Sequence, residues 1–309
     1  MLPAAYFHVV FTVPGAIAEL CLRNKETVYG ILFQAAAETL LAIARDPKRL
    51  RVEAGFFAVL HSWGQNLHFH PHLHCVVPGG GLAQDGKRWI AARRRFFLPV
   101  RVLSALFRRL FVQALEKAFR QGHLRLPGSL SSLSPPTAFR RFLAQAARSQ
   151  WVVHSKPPFG GPEHVLEYLG RYTHRVAISN SRIVAVENGS VSFRWKDYRD
   201  PGQPRKIMTV SAEEFIRRFL QHALPSGFQR IRYYGLFANC HRATKLRLCR
   251  SLLMMPLSDL LPLPVGDSTR PAPSRRTGIR CRECGGLLIH WLELEPVRLY
   301  YRQSFPDTS

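Results

Sequence analysis

Four histidines occupy alternate positions in His68-Phe69-His70-Pro71-His72-Leu73-His74, and a fifth, His61, lies seven residues before the first. Side chains of an extended chain alternate between faces, so an uninterrupted strand would put His68, His70, His72 and His74 on one side. Pro71 cannot donate a ladder hydrogen bond, so a central strand is expected to begin only at His72 and to run through Val77. His72 and His74 then share a face while Leu73 and Cys75 take the other. Two imidazoles two residues apart on a rigid strand make half of a metal site, because neutral imidazole is the commonest metal ligand. A His-rich surface turn would use the same letters, so the pair alone does not decide. No Asp or Glu lies between Glu53 and Asp85, which argues against a carboxylate-rich hydrolytic metal centre.

The elements that must position these histidines are legible around them. Tyr6 to Val13 is β-branched and aromatic and is stopped by Pro14-Gly15, a buried first strand. From Asn24 to Arg45 the residues Val28, Ile31, Leu32, Ala35, Leu40, Leu41 and Ile43 fit a helix packed on a sheet, ended by Asp46-Pro47. Phe56 to His61 reads as a second strand, able to pair antiparallel with His72–Val77 through the connection Ser62 to Pro71. Gly79-Gly80-Gly81 reads as a turn, since a phosphate loop needs a helix and a lysine directly after it. Asp85 to Ile90 suggests a hairpin, followed by the basic run Arg93 to Arg95. Pro99 to Gly122 is helical, with Val102, Leu106, Leu110 and Leu115 on one side. Trp151 to His154 reads as a strand ended by Pro157-Pro158.

A second constellation follows in Pro162 to Arg175, a helix with proline at its first turn. Tyr168 and Tyr172 are four apart and stack on one face, and Arg171 and Arg175 form a basic pair at the same spacing. Two half-buried tyrosines on a helix are common; the basic flank and the histidines upstream set this pair apart. Beyond it, Ile183–Val186 and Val191–Lys196 flank Asn188-Gly189, a hairpin signal. Arg194, Trp195 and Lys196 combine cations with an aromatic platform, as single-stranded nucleic-acid binders do, although a half-buried hairpin alternates likewise. Ser211 and Glu214 are spaced as a capping box for a helix reaching His222. Arg230 to Tyr234 reads as a strand and Asn239 to Leu253 as a basic helix. Residues 255–280 are a Pro-rich linker, and 281–309 a tail whose Cys281 and Cys284 supply two of the four ligands a structural Zn²⁺ needs.

The 309-residue chain, 46% hydrophobic, can bury a sizeable core. Its 44 Lys+Arg against 20 Asp+Glu leave a formal charge of +24, with arginine in the majority. Guanidinium forks suit phosphates, so the expected partner is a polyanion, DNA first. No run of 18 apolar residues is present, so no membrane span is expected. Residues 1–14 lack a basic leader and read as a strand. Six scattered cysteines do not make a disulfide framework, which fits a reducing cytoplasm.

His70-Pro71-His72-Leu73-His74-Cys75-Val76-Val77-Pro78-Gly79-Gly80-Gly81 and Tyr168-Leu169-Gly170-Arg171-Tyr172-Thr173-His174-Arg175 resemble the rolling-circle insertion-sequence transposases of the HUH, two-tyrosine class. Tyr6 to Pro14 and Phe193 to Tyr198 extend the resemblance to about residue 255. It implies an α+β fold: an HUH-endonuclease-like central antiparallel sheet flanked by helices, with a mixed basic C-terminal region. The corresponding division is a nuclease core at 1–178, a DNA-binding region at 179–254, then the linker and the tail. Members usually begin with a Cys-rich zinc-binding domain, which is expected to be missing here.

The resemblance implies Tyr168 and Tyr172 as nucleophiles that nick single-stranded DNA at element ends and rejoin it through a 5′-phosphotyrosine. Mg²⁺ or Mn²⁺ would be held by His72 and His74, with Gln65 as third ligand or, alternatively, His164. Arg171 and Arg175 would neutralise the DNA backbone, as would the hairpin cations Arg194 and Lys196. A bacterial cytoplasmic, nucleoid-associated location follows from the same resemblance. A plasmid replication initiator or relaxase would use the same chemistry, and a truncated, non-catalytic DNA-binding remnant would keep the basic surface alone.

Overall fold

The computed structural model describes residues 1–92, 98–159, 177–197, 200 and 202–253. Its centre is a five-stranded, wholly antiparallel sheet built from β1 (Tyr6–Thr12), β3 (Gly55–Trp63), β4 (Phe69–Pro78), β7 (Val153–Phe159) and β11 (Ile231–Gly235), in the order β11-β3-β4-β1-β7. The fold is α+β, as the sequence implied. A strand from beyond residue 178 closes one edge, so the sheet draws on both sides of that position.

Alternation divides the sheet into two faces of different chemistry. Phe7, Val9 and Phe11 of β1, Phe56, Ala58 and Leu60 of β3, and Leu73, Cys75 and Val77 of β4 form one apolar face. Helices α1 (Ala18–Arg23), α2 (Lys25–Arg45), α3 (Val100–Arg120) and α4 (Pro136–Arg148) contribute to the same core. Each large side chain fully buried there contributes about 1.5–3 kcal/mol. Helix α2 is long and apolar enough to cross a membrane by composition, but two thirds of its most apolar window is buried inside this core (67%). The opposite face carries Tyr6, Phe57, Val59 and Val76 at one end, covered by Leu246 and Cys249 of α6 (Arg242–Leu252). The histidines share this second face.

Several elements depart from what local sequence suggests. β4 starts at Phe69 and passes through Pro71. Between the register pairs His61–His72 and Trp63–Phe69, two residues of β4 oppose one of β3, and Pro71 sits in that bulge. A bulge is where a sheet tolerates a residue with no N–H to give. β7 likewise continues through Pro157 and Pro158 to Phe159, because it is an edge strand. The glycine turn shrinks to Gly79. Gly80 and Gly81 enter β5 (Gly80–Ala83), which pairs with β2 (Val52–Glu53) and β6 (Trp89–Ala91). A Cβ on Gly81 would run into the Glu53 carbonyl, which is why glycine is needed there.

The buried stripe of α3 is Leu103, Phe107, Phe111, Leu115 and Ala118, rotated from the expected one, and Val102 is exposed. The rotation follows the aromatics: Phe107 meets Phe11, Phe111 and Trp151, with ring centroids 4.9–5.9 Å apart. Helix α4 follows a Ser/Pro/Leu-rich stretch that carries no helix signal of its own. Phe139, Leu143 and Ala146 bury its inner face.

The second half adds a small antiparallel sheet, β10-β9-β8, from β8 (Ile183–Glu187), β9 (Ser190–Lys196) and β10 (Arg205–Ser211). Asn188 and Gly189, at φ 49° and 69°, make the tight turn their identities suggest. The Ser211 hydroxyl accepts from the Glu214 N–H and caps α5 (Ala212–Leu220). The Glu214 carboxylate turns instead to Arg217 and Arg218, 2.6 Å from each, so only half of the capping box forms.

Candidate metal centre and nucleic-acid interface

His72 and His74 stand on β4 with the same facing, and register places His61 of β3 directly opposite His72. The three rings converge, with centroids 5.5 Å apart for His61–His72, 4.2 Å for His61–His74 and 4.7 Å for His72–His74. One ring nitrogen from each lies within 4.8 Å of the others. Small ring rotations bring nitrogens gathered this way to within about 2.0–2.1 Å of one ion. His61 and His74 are buried, at 1% and 4% exposure, and His72 is half-buried at the rim. Among the described residues the centre therefore sits on a protein floor, with His72 nearest its rim.

Electrostatics keeps His61 and His72 in the ligating form. Burial, then repulsion from His70, lowers the His72 pKa to about 4. Burial, then the neighbouring His72, Arg230 and His8, drives His61 well below its ordinary value. Both are neutral near pH 7, as metal ligands must be. The His70 carbonyl lies 2.7 Å from His72 Nδ1 and can only accept. His72 thus carries its proton on Nδ1 and turns an Nε2 lone pair outward. The donor set fits a divalent ion.

A band of aromatics and cations rims the cluster. His61 stacks on Trp63 at 4.9 Å, and the Arg230 guanidinium lies 4.9 Å over the Trp63 ring while its Nε donates to the Leu60 carbonyl at 3.0 Å. The turn after β3 is clamped from the small sheet and α5. Arg182 donates to the Gln65 carbonyl, Arg218 to that of Asn66, and His222 bonds Ser62 Oγ and the Leu67 carbonyl.

Sequence-expected residues fall into three groups. His72 and His74 share one face of β4 and converge with His61. Gln65 sits in the turn four residues after His61, and the histidine that joins the pair is His61, which the sequence reading did not choose as a ligand. His68 and His70 are exposed; His70 stays near His72, with centroids 5.3 Å apart, whereas His68 bonds Asn66. On β9 the cations and the aromatic separate. Arg194 points to solvent, while Trp195 packs with Phe193, Met208, Phe215 and Phe219 in the cluster beneath the small sheet. Trp195 is thus partly buried against a small core, on the face opposite Arg194. Lys196, two residues from Arg194, shares its facing. Tyr168, Tyr172, His164, Arg171, Arg175, Cys281 and Cys284 lie outside the described residues.

Comparison with known proteins gives a consistent pattern. Residues 55–245 match the family model Y2_Tnp, described as "Putative transposase". The chain is 57% identical over 284 residues to "Putative transposase y4qJ" of Sinorhizobium fredii, covering 92% of this chain and 71% of that protein. It is 31% identical over 240 residues to the "Transposase for insertion sequence element IS801" of Pseudomonas savastanoi pv. phaseolicola. That match covers 75% of this chain and about half of the relative, 54%. Among solved structures it is similar to the conjugative relaxase TrwC bound to oriT DNA, at 15% identity and a TM-score of 0.29, over 79% of this chain and 71% of that one. That last likeness is too distant for residue-level comparison.

Proposed function

We propose that this chain, which belongs to the Y2_Tnp transposase family, cuts and rejoins single-stranded DNA at the ends of an insertion element with a tyrosine nucleophile and a divalent metal. The observation that carries the reading is the convergence of His61, His72 and His74 in a transposase-family chain of net charge +24.

His61, His72 and His74 would hold the ion on the sheet floor. An ion bound there supplies Lewis acidity, polarising the scissile phosphate and stabilising the leaving oxygen. An all-nitrogen donor set suits Mn²⁺ better than Mg²⁺, which prefers oxygen ligands. Tyr168 or Tyr172 would attack phosphorus. A bond forms between the phenolic oxygen and phosphorus, the bond from phosphorus to the 3′ oxygen breaks, and that oxygen leaves as a hydroxyl. The 5′-phosphotyrosine keeps the phosphodiester energy, so attack by a 3′ hydroxyl rejoins the strand without ATP. Arg171, Arg175, Arg194 and Lys196 would neutralise backbone phosphates, and Cys281 with Cys284 remain candidate Zn²⁺ ligands.

The test is a covalent adduct. Labelled single-stranded DNA from either side of the coding sequence is mixed with the protein and Mn²⁺, then resolved under denaturing conditions. The proposal expects a shifted band that EDTA prevents and that survives Tyr168→Phe or Tyr172→Phe singly but not together. Metal-dependent cleavage without an adduct would overturn the tyrosine mechanism.

A further inference from the structure

Beneath the three converging histidines lies a fourth. His8 is on β1, the neighbour of β4 on the side away from β3. Register pairs Val10 with His74, and His8, two residues from Val10, faces the same way on the diagonal to His74. Its Nε2 lies 2.7 Å from His74 Nδ1, the rings stack at 4.9 Å with 15° between their planes, and His8 is 2% exposed. A histidine in the middle of a sheet, on the face away from the main helical core, is not explained by packing alone.

We infer that His8 is a positioning residue of the metal centre, which fixes the His74 ring and tautomer so that Nε2 faces the ion. One proton lies between His8 Nε2 and His74 Nδ1. If it resides on His74, His8 accepts, and the His74 Nε2 lone pair is available to a metal. If it resides on His8, His74 must carry its own proton on Nε2, and that nitrogen cannot ligate. Metal binding through Nε2 therefore selects the arrangement in which His8 is the acceptor. A hydrogen bond to the second nitrogen of a ligating histidine also raises the basicity of the first. The symmetry with His72 supports this assignment: its Nδ1 donates to the His70 carbonyl. Two ligands would thus be oriented by different acceptors, one from their own strand and one from the next.

The inference rests on the metal reading above but not on DNA cleavage, so Zn²⁺ binding to the intact chain is the readout. His8→Phe keeps a ring of similar size and removes the acceptor; His8→Gln restores an oxygen near the position of Nε2. Calorimetric titration is expected to show Zn²⁺ binding weakened about 10–100-fold in His8→Phe and largely recovered in His8→Gln. In parallel, imidazole ¹⁵N spectra of the Zn²⁺-loaded parent should show His74 protonated at Nδ1 and metallated at Nε2. Unchanged affinity in a folded His8→Phe variant overturns the inference, as does ligation of His74 through Nδ1. The spectra decide the matter if His8→Phe does not fold. A parent chain that binds no Zn²⁺ overturns the metal reading and this inference with it, whereas tight binding indifferent to His8 overturns this inference alone.

Discussion

His61 and His72 are register partners across β3 and β4, and their rings meet edge to face with centroids 5.5 Å apart. Each ring rides on a strand hydrogen-bonded on both sides, so the pair is held before any ion arrives. Rigid presentation of ligands lowers the ordering cost of binding. His61→Ala and His72→Ala are each expected to weaken Mn²⁺ or Zn²⁺ binding by more than about 100-fold, beyond the usual cost of losing a supporting hydrogen bond. Titration calorimetry on the folded variants measures it. Binding that is indifferent to His61 would remove that residue from the centre.

The connection between these two residues also shows what was legible beforehand. Pairing Phe56–His61 with His72–Val77 through Ser62–Pro71 already puts His61 opposite His72, so the third histidine could have been found by completing the register. The bulge at Pro71 could not be read, because it depends on how one strand slips against another. The stripe of α3 was missed for a related reason: apolar residues lie on more than one side of that helix, and which of them face inward is decided by its neighbours, here Phe11 and Trp151. The packing of Trp195 could not be read either, because alternation alone does not say which face of a hairpin finds a helix to pack on.

Acid should destabilise the metal-free fold earlier than carboxylate protonation alone predicts. Burial holds His72 and His222 at about 4 and pushes His61 well below its ordinary value. In the unfolded chain these imidazoles take up protons as pH falls through about 6.5, whereas in the fold His72 and His222 remain neutral until about 4. The unfolded state binds more protons between those values, so stability rises with pH across that window and levels off above it. Urea midpoints measured in EDTA are expected to be lower at about pH 5 than at about pH 7.5. Equal or reversed midpoints would contradict the assignment.

Gly235 ends β11 at φ 57°, where an added Cβ would meet the Ala54 carbonyl. Its backbone is both left-handed and crowded. Gly235→Ala is expected to cost more than about 2 kcal/mol, combining the left-handed penalty with the clash. A loss below about 0.5 kcal/mol by chemical denaturation, typical of neutral surface sites, would mean that the edge relaxes freely.

Ser211 caps α5 through its hydroxyl. Removing it in Ser211→Ala leaves an amide of the first turn without that acceptor, at about 1 kcal/mol. Because α5 and the loop after it hold the turn beside the metal centre through Arg218 and His222, hydrogen exchange at Asn66 and Leu67 should quicken in the same variant. Protection there that does not change would uncouple the small sheet from the site.

The most direct test joins the histidine centre to DNA chemistry. Single-stranded DNA labelled at its 3′ end, taken from either side of the coding sequence, is incubated with the parent chain and with His61→Ala over a range of Mn²⁺ concentrations. The parent should convert label into a protein-linked product at limiting Mn²⁺, and His61→Ala should need far more ion or give none. If His61→Ala forms that product as readily as the parent at every Mn²⁺ concentration, the three histidines are not the metal centre of strand cleavage.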